Sequence, residues 1–108
     1  MSGLSTHVLD AVTGKPAAGI RVALFRATDG EIAAADTNTD GRVPELLPGP
    51  IDAGNYRLSF DTGSYFETLG TETFYPEVSI SFVVDDPDAH YHVPLLLSPF
   101  AYSTYRGS

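Results

Sequence analysis

The amino-acid sequence predicts an all-β fold, a β-sandwich of seven or eight short strands with one short helix. Three features predict it. Short runs of alternating character recur along the chain, turn-forming residues separate them at close intervals, and only one stretch has helical spacing.

Residues 5–12 alternate Ser5, His7 and Leu9 against Thr6, Val8 and Asp10, a first strand ended by the turn Thr13-Gly14-Lys15-Pro16. Residues 19–28 place Ile20, Val22 and Leu24 opposite Arg21, Ala23 and Phe25, a second strand. Asp29-Gly30 is a hairpin signal, and residues 31–37 return as a third strand. Thr39-Asp40-Gly41 turns the chain just before Arg42, and residues 46–53, with Pro48 and Pro50, read as loop. Residues 55–61 alternate Tyr56, Leu58 and Phe60 with Arg57 and Ser59, another strand. Tyr65 and Leu69 stand four apart between Gly63 and Gly70, so residues 64–69 read as one or two helical turns. Residues 78–84 form a strand, and Asp85-Asp86-Pro87-Asp88 a turn.

The remainder reads as a hairpin, with Ser98-Pro99 at its turn. On its first strand Tyr91, Val93, Leu95 and Leu97 share an apolar face suited to a core, while His90, His92, Pro94 and Leu96 share the other. Pro94 cannot donate to a ladder, which assigns it to an edge or an irregular position. On the return strand Ser103, Tyr105 and Gly107 form one set and Tyr102, Thr104 and Arg106 the other. Three aromatic residues, Phe100, Tyr102 and Tyr105, argue against a disordered tail.

The 108 residues are expected to form one domain, 1–108, large enough to bury a core without staples. No cysteine is present, so neither a disulfide framework nor a thiolate metal site is available. A net charge of −8 repels phosphate backbones and anionic membranes, which excludes nucleic acid and membrane as expected partners. No apolar run has the length of a membrane span and Met1-Ser2-Gly3-Leu4 carries no basic segment, so a cytosolic protein is expected.

Three polar positions are candidates for chemistry: His7 and His92 on the polar sides of their strands, and Arg42 after its turn. A lone histidine on a strand is ordinarily solvated or hydrogen-bonded, and an arginine after a turn ordinarily solubilises the chain. Singly, none of the three indicates a reaction.

Together with the last residues they resemble a family. Tyr105-Arg106-Gly107-Ser108, preceded by Leu97-Ser98-Pro99, closely resembles the ending of the 5-hydroxyisourate hydrolases, the transthyretin-related proteins of urate breakdown. The run from His7 to Ala17 is similar to that family's N-terminal motif, Thr39-Asp40-Gly41-Arg42 to its central one, and Tyr91-His92-Val93-Pro94-Leu95-Leu96 to its third. Asp61-Thr62-Gly63-Ser64-Tyr65-Phe66 resembles the lead into the family's single short helix.

The resemblance implies a transthyretin-like (prealbumin-like) sandwich, assembled as a homotetramer with sites in a channel between dimers. It also implies hydrolysis of 5-hydroxyisourate, a small-molecule substrate, without metal or cofactor. His7 and His92 would activate water and carry protons, Arg42 would hold a substrate carbonyl and its developing oxyanion, and Tyr105, Arg106 and Ser108 would bind and enclose the substrate. The alternatives are a transthyretin-like carrier, for which Tyr105 would fill the channel that a carrier keeps open, and an adaptor whose histidine-bearing face docks a partner.

Overall fold

The structure, a computed structural model, describes residues 3–107. In chain order its elements are β1 (Gly3–Asp10), β2 (Lys15–Pro16), β3 (Arg21–Arg26), β4 (Gly30–Asp36), β5 (Arg42–Leu47), β6 (Gly54–Phe60), α1 (Thr62–Thr68), β7 (Val78–Val84), β8 (His90–Leu97) and β9 (Tyr102–Thr104). One sheet runs β2-β1-β8-β9 with β5 also paired to β1, and the other runs β4-β3-β6-β7. β1 and β8 are parallel, in register from Gly3 opposite His90 to Asp10 opposite Leu97. Every other pairing is antiparallel.

Strand alternation builds the core between the sheets. Leu4 and Val8 of β1, Tyr91, Leu95 and Leu97 of β8, Val22 and Leu24 of β3, and Leu58 and Phe60 of β6 are buried there, with Phe66 from α1. The apolar face expected of 91–97 is therefore the core face of β8. Among the described residues no helix is long and apolar enough to cross a membrane.

The elements differ from the sequence expectation in ways with local causes. β5 occupies residues 42–47, so the loop expected from residue 46 begins after Leu47. Prolines obscured this strand, yet β5 is bonded on one side only, to β1, so Pro44 interrupts no second ladder. Lys15-Pro16, expected as turn, pairs with Leu9 and Asp10. β1 stops at Asp10 instead of continuing to residue 12, because the Asp10 carboxylate captures the backbone N–H groups of Val12 and Thr13 at 2.9 and 3.2 Å. α1 starts at Thr62, two residues early, with Asp61 as its N-cap. The return strand is short, residues 102–104.

Pro94 is not at a sheet edge, since β8 lies between β1 and β9. It falls instead in a gap in the C-terminal pairing. β9 pairs with Leu95, Leu96 and Leu97, and the next backbone pairing is the bridge from Gly107 to His92. A residue with no N–H is tolerated in that gap.

Candidate active site

β1 lies between β5 and β8, and its registers assemble the polar face. His7 is opposite Arg42 on β5 and opposite Pro94 on β8, while Ser5 is opposite His92. Paired residues project to the same side of a sheet. Thr6, Val8, Tyr91 and Val93 point into the core, so Ser5, His7, Arg42, His90 and His92 share the outer face. Three strands, two of them nearly a chain length apart in sequence, thus bring the two predicted histidines and the predicted arginine together.

Arg42 is delivered by the turn before it. Asn38 accepts the backbone N–H groups of Asp40 and Arg42 on its side-chain oxygen at 2.9 and 3.0 Å, and its own N–H donates to the Arg42 carbonyl at 2.9 Å. Gly41 has φ +73, and a Cβ there would collide with the Val8 carbonyl oxygen. Only glycine allows that approach, through which the Val8 N–H reaches the Gly41 carbonyl at 2.7 Å and sets Arg42 against His7.

His92 is the most constrained of the three. Its Nδ1 is 2.7 Å from Ser5 Oγ, and the same oxygen is 2.9 Å from His90 Nε2. On the other side of the ring, the Gly107 N–H donates to the His92 carbonyl at 2.8 Å. A Cβ on Gly107 would lie 2.6 Å from His92 Cδ2, so this glycine is required by contact with the imidazole. Burial pushes the His92 pKa below the usual histidine value, and the charges of Arg42, His7 and His90 push it the same way. Its neutral, proton-accepting form is therefore favoured near pH 7. Ser5, Arg42, Pro44, His90 and His92 line a cleft of about 280 Å3.

Tyr105 is 61% exposed and lies just beyond the end of β9. Arg106 does not join the cluster. Its guanidinium stacks 4.6 Å above the ring of Tyr91, a core-face residue, and does not line the cleft that Ser5, Arg42, His90 and His92 share. There the Tyr91 hydroxyl donates to Asp85 at 2.8 Å and, with the Arg106 charge adding to it, holds the Asp85 carboxyl below the usual carboxylate range. Tyr105 and Arg106 line a second cleft of about 320 Å3 together with Tyr91, His92 and Phe82. Ser108 lies outside the described residues.

The sequence places His90 on the polar face without a role, offers Gly107 only as part of the terminal motif, and singles out neither Ser5 nor Asn38. The parity of 90 and 92 was legible. The parallel register that sets Ser5 opposite His92 was not, because it joins segments more than 80 positions apart with no intervening hairpin. Among the described residues no group of three or more His, Cys, Asp or Glu side chains is placed to hold a metal ion. The chemistry that the cluster offers is proton transfer at a neutral imidazole beside the guanidinium of exposed Arg42.

A family model described as HIUase/Transthyretin family matches residues 4–107. A 5-hydroxyisourate hydrolase of Salmonella dublin is 47% identical, with 97% of this chain and 80% of that protein covered. The solved structure of the Klebsiella pneumoniae 5-hydroxyisourate hydrolase superposes with a TM-score of 0.90 at 42% identity, covering 99% of this chain and 100% of the other. Transthyretin from Sparus aurata superposes with a TM-score of 0.88 at 32% identity, covering 99% and 97%.

Proposed function

The chain belongs to the HIUase/Transthyretin family, and we propose that it hydrolyses 5-hydroxyisourate to 2-oxo-4-hydroxy-4-carboxy-5-ureidoimidazoline in urate degradation. The observation that carries this is the meeting of His7, Arg42 and His92 on one open sheet face. A carrier needs a cavity of the right shape. It has no use for a clamped neutral imidazole beside a guanidinium.

His92 and His7 activate water and move its proton, His92 being held in the form that accepts one. Water adds to the carbonyl of the ring amide, and the Arg42 guanidinium stabilises the oxyanion through charge-assisted hydrogen bonds. The ring C–N bond then breaks as its nitrogen takes a proton. General base catalysis supplies roughly 10²- to 10⁴-fold, and orientation and oxyanion stabilisation supply the rest. Tyr105 and Ser108 border the substrate. Arg106, stacked on Tyr91, anchors the segment that carries them. No metal or cofactor enters this mechanism.

The working form is a homotetramer, a dimer of dimers. The face that carries the histidines also carries half-buried Leu9 and Leu96 and exposed Tyr105, a mixed surface that a second subunit would cover. The cysteine-free chain suits a reducing, cytoplasmic compartment. The test is the ultraviolet decay of 5-hydroxyisourate, generated in place from urate by urate oxidase, with and without the protein. Decay faster than the spontaneous background is expected. An unchanged decay with saturable ligand binding would put the carrier in the hydrolase's place.

A further inference from the structure

We infer that Ser5 is a positioning residue that sets the tautomer of His92 and couples it to His90. This rests on the hydrolase assignment only for its kinetic consequence, since the tautomer can be read in the resting protein. Ser5 is 7% exposed, and its hydroxyl contacts one nitrogen of each imidazole, His92 Nδ1 at 2.7 Å and His90 Nε2 at 2.9 Å.

The proton count constrains the bridge. A hydroxyl has one proton to donate, and a neutral imidazole has one N–H and one lone pair. When both contacts are hydrogen bonds, one ring donates to Ser5 Oγ and the other accepts from it. In one polarity His92 Nδ1–H donates to Ser5 and Ser5 donates to His90 Nε2. His92 Nε2 then carries the lone pair and can take a proton from water. In the reverse polarity His92 Nε2 carries the proton and can give it up. With Nδ1 on Ser5 and the Cδ2 edge toward Gly107, Nε2 is the nitrogen left to meet water. The titratable and charged groups around His92 are His7 on β1 with Ser5, Arg42 from β5, His90 from its own strand, and Tyr105 and Arg106, which line a cleft with it in the C-terminal run.

This gives Ser5 a defined part in the reaction. After His92 Nε2 has taken the proton of water, the Nδ1 proton passes to Ser5 Oγ and the Ser5 proton passes to His90 Nε2. The positive charge then rests on His90, and His92 is neutral with its proton on Nε2, ready to protonate the leaving ring nitrogen. As that proton leaves, the bridge runs backwards in the same step: His90 returns a proton to Ser5 and Ser5 returns one to His92 Nδ1, so His92 stays neutral. Over the cycle one proton moves from water oxygen to the departing nitrogen, and both histidines end as they began.

The experiment compares the wild type with Ser5→Ala, Ser5→Thr and His90→Phe, reading the histidine ¹⁵N shifts of each resting protein and the pH profile of kcat. The wild type is expected to hold His92 as the Nδ1–H tautomer. Ser5→Ala is expected to lose that tautomer, lower kcat by about ten- to a hundredfold, the range for partners that orient a working imidazole, and change the pH profile while KM stays nearly constant. Ser5→Thr keeps the hydroxyl and is expected to restore all three readouts. His90→Phe leaves Ser5 in place, alters an exposed-side residue, and is expected to change tautomer and kcat in the same direction as Ser5→Ala. An unchanged His92 ¹⁵N pattern in both Ser5→Ala and His90→Phe would overturn the inference, as would wild-type kcat in either. If the wild type itself lacked hydrolase activity, the proposed function would fall, and the ¹⁵N spectra would still decide what Ser5 does.

Discussion

His92 sits where burial and neighbouring cationic groups both oppose a proton on its ring. The sign follows for catalysis: the neutral ring is the base, so kcat/KM should stay on its plateau as pH drops from neutrality through ~6.5, the ordinary histidine value, and fall only below it. A profile that falls from well above that value would contradict the assignment. The same shift links to stability. The unfolded chain protonates near the ordinary value while folded His92 resists, so this group's contribution is present above the unfolded pKa and is lost as pH falls through and below it. Contact with Gly107 gives a second expectation. Gly107→Ala should displace the imidazole and lower kcat sharply while the denaturation midpoint barely moves, since the change lies in the terminal run beyond β9 and outside the core. Wild-type turnover in this variant would mean that the ring is not held by that contact. At this scale His7, Arg42 and His92 were legible because charged or titratable types stood out on polar faces and in recognisable motifs. Ser5 was not, since it matters only through partners far away in sequence, and Gly107 was legible as a member of the terminal motif but not as the residue that lies against His92.

Elements place those residues. β5 went unrecognised altogether, residues 42–45 having no element assigned and residues 46–53 being read as loop; yet it carries Arg42 to His7, and a strand with prolines in and after it has little strand signal of its own. The Val78–Val84 strand and the core face of β8, by contrast, were read directly from alternation and apolar character. The helix was legible from its spacing, though its start depended on the Asp61 cap. α1 is tied to β1 by the Tyr65 hydroxyl, which donates to the buried Asp10 carboxylate at 2.9 Å. Burial, with the Asp10 hydrogen bond and charge adding to it, pushes the Tyr65 pKa up to about 12. Tyr65→Phe removes one partner of a buried carboxylate, so urea denaturation should show a loss of about 1–3 kcal/mol with turnover retained. A stability equal to wild type would show that the tie contributes nothing. Asn38 acts one step closer to the site: Asn38→Ala frees the turn that aims Arg42 and should lower kcat/KM, with Asn38→Asp retaining most of it because the side-chain acceptor persists.

For the molecule as a whole, two sheets and a short helix were legible from the rhythm of strands and turns, and the order of the sheets was not. The parallel pairing of β1 with β8 joins the two ends of the chain, so no hairpin signal announces it. That pairing is also what makes the site, because it lays the His7 strand beside the His92 strand. The terminal run completes it from the other side through the Gly107 bridge. Deleting residues 106–108 should therefore leave a folded protein that sediments as the full-length chain does, with little activity. Full turnover by the truncated chain would make the terminal residues structural only.

The most direct test of the central claim is kcat/KM for 5-hydroxyisourate of His92→Ala, measured beside the wild type near neutral pH on protein of matched fold and sedimentation. A loss of roughly a hundredfold or more is expected for removal of a general base. Near-normal turnover by that variant would contradict the claim and move the reaction away from the face that His7, Arg42 and His92 share.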